Sequence, residues 1–222
     1  CGTNSHDFIT NVLATNLGVK ELVVGPDFRF GKDRSGDAAM LIDQGSKMGF
    51  RTTIVPEVSF ENIKISSSSL RTMAKNGEFV SVENMRQAPL KLTGHVCHGN
   101  KLGRTLKYPT ANVKVPKNLC FSGIFVVKVT DNSPDRLFDK KWGIANIGTR
   151  PVLGTNNEKL LEVYVLDWTG DIYGRLISVE MIKKIREEKY FKSLEELKSK
   201  MMEDEKIALE YISNYDEQKQ KS

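Results

Sequence analysis

The sequence predicts an α/β segment followed by a small antiparallel β-barrel that ends in a C-terminal helix. Helix-like and strand-like patterns alternate up to about residue 87, which is typical of an α/β sheet. From Gly123 onward, short strands rich in β-branched residues are separated by turns, which is typical of a small barrel. An apolar stripe at helical spacing follows Ser193 and predicts the final helix.

The first half begins with a helix and a strand. Ser5 is the expected N-cap of the helix, Gly18 is expected to end it, and Glu21 to Val24 is expected to form a buried parallel strand. A helix over 38–48 and a strand over 51–55 follow. Because Pro89 in the linker Gln87-Ala88-Pro89 is a natural boundary, we predict domains at 1–87 and 88–222.

The second half is dominated by strands, which are predicted over 123–129, 141–148, 159–167 and 177–182. Ser193 and Glu196 form a capping-box pattern at the start of the last helix. We expect that helix to cover the barrel through Leu194, Leu197, Met201, Ala208 and Tyr211.

Charge and cysteine usage limit the class of protein. The 33 basic and 28 acidic residues give a net charge of +5, which is compatible with nucleotide or nucleic-acid partners and specifies neither. The three cysteines and three histidines lack zinc-site spacing, so His95, Cys97 and His98 are interpreted as barrel residues. Unpaired thiols, together with the absence of a signal peptide or a membrane-length apolar run, predict a cytoplasmic protein without a membrane partner.

The stretch GHVCHGNKLGRTLKYPTANV offers groups that suit ATP. Gly99 and Gly103 allow the backbone to fold closely over an anion, and Arg104 follows at once. Thr110 and Asn112 share one face of an extended segment, where a hydroxyl can ligate Mg²⁺ and an amide can bind a phosphate oxygen. Glycines between strands also form ordinary turns, so spacing alone leaves both interpretations open.

Two other stretches offer phosphate contacts. The loop GPDFRFGKDRSGD follows a predicted strand at its carboxyl end, where open α/β sheets bind ligands. The run ISSSSLR brings hydroxyls, helix amides and an arginine together, which either bind a triphosphate or merely cap a helix. Later in the chain, Glu162 is a lone carboxylate in the apolar strand LLEVYVLD, so it faces solvent, pairs or lines a site.

GHVCHGNKLGRTLKYPTAN resembles the GxVxxGxxxGRxLGFPTAN signature of the riboflavin kinase family, with Lys107 and Tyr108 replacing the usual glycine and phenylalanine. GIANIGTRP, LEVYVLD and DIYGR are similar to further motifs of that family. The resemblance implies that Glu162 is the base for the ribityl hydroxyl. It also implies that Mg²⁺, at Thr110, and ATP bind to residues of the signature, namely Gly99, Gly103, Arg104, Thr110 and Asn112.

A further segment, IREEKYF, resembles the loop that closes on the flavin in this family. Arg186 in this loop either contacts the phosphate of the product or pairs with a glutamate, and both alternatives stay open. The resemblance implies riboflavin and ATP as substrates and FMN as the product.

The first half resembles the adenylyltransferase half of bacterial FAD synthetases, a Rossmann-like nucleotidyltransferase domain. VVGPDFRFGKDRSGD and ISSSSLR match two motifs of that family in the family's order. The nucleotide-binding residues implied are Gly25, Asp27, Phe28, Arg29, Ser67, Ser68 and Arg71. The HxGH-type motif of the family does not occur, so we expect an N-terminally truncated module that is inactive here, whereas an intact parent converts FMN to FAD.

Two rival functions remain. A catalytically inactive remnant that binds flavin nucleotides needs the same pockets but shows no turnover. A nucleic-acid-binding barrel exploits the net charge of +5, and its binding weakens steeply with salt. The second rival explains neither PTAN nor ANIGTRP, so we expect small-molecule partners and no nucleic acid; the oligomeric state is not predicted.

Overall fold

The computed structural model of the chain describes residues 2–98, 108–149 and 159–220. These residues belong to two compact units, Cys1–Ile65 and Ser66–Ser222. The division into domains 1–87 and 88–222 stays a prediction.

The first unit combines short strands with helices. In chain order its elements are helix α1 (Ser5–Asp7), a π-helix (Phe8–Asn16), strands β1 (Glu21–Val24) and β2 (Arg29–Phe30), a 3₁₀ turn (Lys32–Arg34), strand β3 (Gly36–Asp37), helix α2 (Ala38–Met48), and strands β4 (Arg51–Ile54), β5 (Ser59–Phe60) and β6 (Ile63–Lys64). Strands β1 and β4 pair in parallel, β2 pairs with β3, and β5 pairs with β6. The predicted helix over 38–48 matches α2.

Two details of this unit differ from the predictions. The N-cap is Asn4, whose side chain accepts a hydrogen bond from the amide of Asp7 at 2.8 Å, so Ser5 already lies inside the helix. Asparagine and serine cap equally well, and the pattern alone does not separate them. Strand β1 is parallel as expected but only partly buried, since Val24 is 7% exposed whereas Val23 is 59% exposed.

The core of the first unit lies where the π-helix and α2 pack beside the strands. Gly49 ends α2 in the left-handed conformation, with φ at 79°, and this turns the chain directly into the β4 region. The buried core residues are Ile9, Leu13, Val24, Phe30, Ala38, Leu41 and Phe50.

The second unit is a closed barrel with helices before and after it. Its elements are helices α3 (Ser67–Asn76) and α4 (Phe79–Arg86), strands β7 (Lys91–Cys97), β8 (Ala111–Lys114), β9 (Gly123–Asp131), β10 (Lys141–Thr149), β11 (Lys159–Val165) and β12 (Leu176–Arg186), and helix α5 (Leu194–Gln220). The strand order around the barrel is β10-β11-β8-β7-β12-β9, with antiparallel pairing throughout. The predicted antiparallel barrel with a C-terminal helix is therefore confirmed.

Side chains of the barrel strands alternate between two faces. Leu161 and Val163 of β11 are fully buried in the barrel interior, whereas Glu162 and Tyr164 point to the opposite face of the wall. Helix α5 packs over that outer face; for example, its Tyr215 lies edge-on to Trp142 of β10, with the ring centroids 5.3 Å apart. The inner face of the barrel wall therefore lines a buried apolar core, and part of its outer face is covered by α5.

The start of α5 forms one of the two hydrogen bonds of the predicted capping box, because the Glu196 side chain binds the amide of Lys192 and not that of the N-cap Ser193. The amide of Glu196 donates to the Ser193 hydroxyl at 3.1 Å, and the Glu196 carboxylate accepts a hydrogen bond from the amide of Lys192 at 3.1 Å. Ala208 is fully buried, but Leu194, at the start of the predicted stripe, is 54% exposed. The apolar stripe therefore contacts the barrel only after the first helical turn.

A buried carboxylate fixes the connection between β9 and β10. Asp131 accepts hydrogen bonds from the amides of Ser133 and Leu137, both at 3.0 Å, and pairs with Arg175 at 2.9 Å. Burial works to raise the pKa of Asp131, but these amides and the arginine outweigh it and hold the pKa below its usual value. Asp135, which is exposed, binds the same guanidinium at 2.8 Å.

We expect Asp131→Asn to lower the stability of the chain at pH 7 far more than at pH 3. Because the pKa of Asp131 is lower in the folded than in the unfolded chain, its ionisation stabilises the fold above about pH 4, and this contribution disappears as the pH falls through the folded-state value. Urea unfolding at several pH values measures the difference between the two chains. Asp135→Asn is the matched control and should show a much smaller pH-dependent difference; equal curves for both variants would contradict the prediction.

Candidate active site

A cavity of about 630 Å³ lies on the outer face of the barrel wall beneath the first turns of α5. Its walls come from β8, β10, β11, the end of β12 and the segment that connects β12 to α5. The cavity brings together Thr110, Asn112, Glu162 and Arg186, four of the residues predicted from the kinase resemblance. Gly99, Gly103 and Arg104 lie outside the described residues.

Three polar side chains form a row across adjacent strands of this wall. Glu162 of β11 is directly opposite Asn112 of β8 on one side and Asn146 of β10 on the other. Directly opposite residues in antiparallel strands have Cβ atoms about 4.5–5.5 Å apart. All three residues line the cavity. We call Asn112, Glu162 and Asn146 the polar row.

Backbone packing holds Asn112 in this row. Asn112 is only 4% exposed, and it is opposite Cys97 of β7. The Cys97 thiol donates to the backbone carbonyl of Asn112 at 3.2 Å. Thr110 lies two residues earlier, just before β8 begins, so the PTAN segment enters the wall at the edge of the cavity.

Arg186 is directed into the cavity by irregular pairing at the end of β12. The register between β12 and β9 shifts between Lys184 and Arg186, and such bulges redirect side chains. Arg186 is opposite Ile124 of β9, which follows Gly123. Gly123 has φ at 126°, and a Cβ added there would lie 2.5 Å from the carbonyl oxygen of Arg186. Only glycine therefore allows this close approach.

The guanidinium of Arg186 is held by helix α5. It binds the Asp204 carboxylate through two parallel hydrogen bonds, Nε to Oδ1 at 2.8 Å and Nη2 to Oδ2 at 2.7 Å. Asp204 is 4% exposed. Of the two roles predicted for Arg186, the structure shows pairing, with an aspartate in place of the expected glutamate. The pair joins the end of the barrel to the helix that covers the cavity.

A second carboxylate lies beside the polar row. Glu188 lines the cavity, and a side chain added at Gly148 of β10 would collide with its carboxylate. Desolvation, and after it repulsion from Glu162, raises the pKa of Glu188 against the opposing effects of the Thr149 amide, Arg186 and Lys159. Two carboxyl groups, those of Glu162 and Glu188, are therefore close enough to interact at this end of the cavity.

Tyr108 ties the PTAN segment to helix α5. Its hydroxyl donates to Glu205 at 2.7 Å, and its ring packs edge-on against Tyr164 with centroids 5.1 Å apart. Burial, and then the hydrogen bond to Glu205, raise the pKa of Tyr108 to about 12. The phenol therefore stays protonated and donates throughout the physiological range.

We expect Tyr108→Phe to reduce the free energy of unfolding by about 1.5–3 kcal/mol, because the hydrogen bond to a charged acceptor is lost. Urea unfolding measures the change. Tyr190→Phe is the matched control, since Tyr190 is 89% exposed and its hydroxyl should contribute nothing. Equal stability of the two variants would show that the Tyr108 hydroxyl does not anchor the segment.

His95 and Cys97 lie on strand β7, as predicted, whereas His98 directly follows the strand. Nδ1 of His95 lies 3.0 Å from the carbonyl oxygen of Gly174, and the ring of His98 lies against Tyr173. Within the described ranges, no group of three or more histidine, cysteine, aspartate or glutamate side chains is arranged to hold a metal ion. In the same part of the chain, Cys97 and Cys120 are free thiols, and no helix combines the length and apolar character needed to cross a bilayer.

In the first unit, the loop residues proposed to bind a nucleotide are exposed and engaged with neighbours. Asp27 pairs with Lys64, whose hydrogen bond lowers the pKa of Asp27, and Arg29 pairs with Asp37 at 2.8 Å. Gly25 and Phe28 are exposed in the same loop.

In the second unit, the serine run starts helix α3. Ser66 is the N-cap and forms a capping box with Ser69, so the capping interpretation is correct for these two serines. Ser67, Ser68 and Arg71 lie in the first turns of α3 and are exposed, so their nucleotide-binding role stays a prediction.

Sequence reasoning missed several cavity residues. Asn146 lies inside the quoted ANIG motif, and the period-two pattern of β10 places it on the face opposite the buried Ala145 and Ile147. Asp204 interrupts the apolar stripe of α5 between Met201 and Ala208, and a carboxylate in such a stripe signals a buried partner.

Comparisons with known proteins identify the family of this chain. The family model described as riboflavin kinase matches residues 86–212, and the model described as FAD synthetase matches residues 1–69. A bifunctional riboflavin kinase/FMN adenylyltransferase from Buchnera aphidicola is 37% identical over 214 residues, covering 95% of this chain and 66% of the relative. The protein of the same name from Escherichia coli K12 is 38% identical over 209 residues, covering 94% of this chain and 65% of the relative.

Among solved structures, one titled as a macrolide-efflux protein from Streptococcus pneumoniae is similar, with a TM-score of 0.65 and 29% identity. The match covers 93% of this chain and 65% of that one. The chain thus spans about two thirds of the length of the relatives it matches. Since the riboflavin kinase model covers the whole barrel and most of α5, and relatives of that name align along nearly the entire chain, the chain belongs to the riboflavin kinase family.

Proposed function

We propose that this chain transfers the γ-phosphoryl group of ATP to riboflavin and forms FMN. The observation that carries the proposal is the polar row beside the PTAN segment in a cavity of about 630 Å³. That volume suits a small organic ligand, and a mostly apolar pocket with a few convergent polar groups is the usual form of such sites. Ile124, Ile144 and Tyr164 supply apolar surface for the flavin ring.

Glu162 is the proposed base. The terminal hydroxyl oxygen of the ribityl chain attacks the γ-phosphorus, the new O–P bond forms as the bond to the β-phosphate oxygen breaks, and ADP leaves. The proton of the hydroxyl passes to the Glu162 carboxylate, which is central in the polar row. Positioning of the hydroxyl and phosphate supplies most of the rate in such a transfer.

Thr110 and Asn112 are proposed to hold the Mg²⁺ of MgATP and its phosphates. Both are neutral oxygen donors at the cavity edge, and Mg²⁺ in such sites takes few protein ligands and completes its shell with phosphate oxygens and water. The donor set therefore fits the ion. When bound, Mg²⁺ would neutralise charge that develops on the phosphates.

The segment matched by the FAD synthetase model is proposed to bind an adenine nucleotide. Gly25 and Ser68 are exposed within that segment and Arg71 is exposed just after it, and these positions support the role because backbone amides, hydroxyls and guanidinium groups donate hydrogen bonds to phosphate oxygens. A cytoplasmic location, expected from the unpaired thiols, belongs to the same proposal.

The test is incubation of the purified chain with riboflavin, ATP and Mg²⁺, followed by chromatographic separation of the flavins with fluorescence detection. We expect FMN to appear, and chelation of the Mg²⁺ to abolish it. FMN without FAD would agree with the expected inactivity of the adenylyltransferase half. A folded chain that binds flavin but forms no FMN would instead support a flavin-binding remnant.

A further inference from the structure

Asn146 carries a polar atom that nothing in the described part of the protein satisfies. Its side-chain oxygen Oδ1 is fully shielded from solvent and has no hydrogen-bond partner among the described residues. Buried polar groups in folded proteins are almost always paired, because an unpaired one loses its hydration without compensation. We therefore expect the unpaired oxygen of Asn146 to cost stability when no ligand is bound.

The surroundings of Asn146 explain why it has no partner. On its β9 side it is directly opposite Ile124, and two residues earlier on the same face of β10 lies Ile144, neither of which can form a hydrogen bond. On its β11 side it is opposite Glu162, whose carboxylate oxygens accept hydrogen bonds and so cannot satisfy another acceptor. Because Asn146 lines the cavity, rotation about its terminal side-chain torsion would bring the amide to a ligand there.

We propose that Asn146 determines specificity for the ribityl chain by binding one of its inner hydroxyls. This inference rests on the proposed function, which places the terminal hydroxyl at Glu162. Strand β9, on one side of Asn146, carries the apolar residue Ile124 opposite it. On the other side, beyond Glu162, strand β8 carries Asn112, the proposed phosphate contact. The row therefore runs from the phosphate end of the substrate toward the flavin ring.

The spacing of the row suits one extended polyol. Neighbouring strands are about 4.8 Å apart, so a five-carbon chain with its end at Glu162 passes directly over Asn146. A hydroxyl both donates and accepts, and it can therefore satisfy either end of the amide. An aspartate at this position would repel Glu162, since like charges directly opposite each other destabilise a sheet. An amide supplies the acceptor without that repulsion.

The experiment compares two flavins and the variant Asn146→Leu in the full 222-residue chain. Riboflavin carries the ribityl chain, whereas lumiflavin has the same ring with a methyl group in its place. Binding of each is followed by quenching of flavin fluorescence, and the thermal stability of the free protein is measured in parallel. Asn132→Ala is the control, because Asn132 donates to Ser178 at 2.6 Å, and neither residue lines the cavity.

We expect Asn146→Leu to weaken riboflavin binding about tenfold, the value of one typical hydrogen bond, and to leave lumiflavin binding unchanged. The melting temperature of the free variant should rise, because an unsatisfied buried oxygen is replaced by an apolar group of similar size. A residue with only a structural role would give a lower melting temperature and equal losses for both flavins. Asn132→Ala should bind both flavins as the unaltered chain does.

Other results overturn the inference. Unchanged riboflavin binding in Asn146→Leu would mean that the amide does not contact the polyol, and equal weakening of both flavins would assign it to the ring or to the fold. If leucine prevents folding, Asn146→Ala is judged by the same comparison. An unaltered chain that binds neither flavin would refute the proposed function itself, which separates that failure from failure of the Asn146 contact.

Discussion

Glu162→Gln is expected to lower kcat for FMN formation by about 10²–10⁴-fold, which is the usual contribution of a positioned general base. Glutamine keeps the size of the side chain and its place in the polar row, but it cannot accept the proton of the ribityl hydroxyl. The KM for ATP should be nearly unchanged, because Asn112 and Thr110 remain in place. Initial rates measured by flavin chromatography give both constants.

Glu180→Gln is the control for this experiment. Glu180 also lies on a barrel strand, but it pairs with Lys91 at 3.3 Å and does not line the cavity. Its replacement should leave kcat unchanged. If Glu162→Gln retains the turnover of the unaltered chain, the base must be another group, and Glu188 is then the first carboxylate to replace.

Asp204→Ala is expected to reduce the free energy of unfolding by about 3–5 kcal/mol, because it leaves the Arg186 guanidinium without its buried partner. The side chains of Arg186 and Asp204 are 16% and 5% exposed, so water screens this pair little. Urea unfolding of the variant and the unaltered chain measures the difference.

Two comparisons make this result specific. Glu203→Ala removes the adjacent carboxylate of α5, which pairs with Lys200 at 2.6 Å on the exposed side, and it should change stability little. Combining Arg186→Met with Asp204→Leu removes both charges and should cost much less than Asp204→Ala alone. If Asp204→Ala is no more destabilising than Glu203→Ala, the ion pair does not hold α5 against the barrel.

The sequence patterns predict local features of this protein well. Strand alternation, turn residues and the capping-box pattern at Ser193 depend on neighbouring residues, and they locate the barrel strands and the start of α5. The motif resemblance selects Thr110, Asn112 and Glu162, and the structure brings all three to one cavity. Their chemical roles stay predictions.

The missed features depend on contacts between distant parts of the chain. Tyr108 donates a hydrogen bond to Glu205, 97 residues later in the chain. Arg186 binds Asp204, a polar residue that interrupts the apolar stripe of α5. Burial of β1 was predicted for the whole strand but holds for Val24 and not for Val23, because an apolar strand is buried only where another layer covers it, and the strand sequence does not specify that layer. The cap at Asn4 was missed because two capping residues stand side by side.

Closure of the barrel has a consequence for how this site tolerates insertions. Each member of the polar row comes from a different strand, so strand register alone aligns the three side chains. A one-residue insertion within β11 would turn Glu162 into the dry interior and bring an apolar neighbour to the cavity. An open sheet can absorb such a slip at its edge, but here both edges of β11 are bonded to neighbours. Lengthening the connections between strands leaves the alignment intact, so length variation should concentrate there.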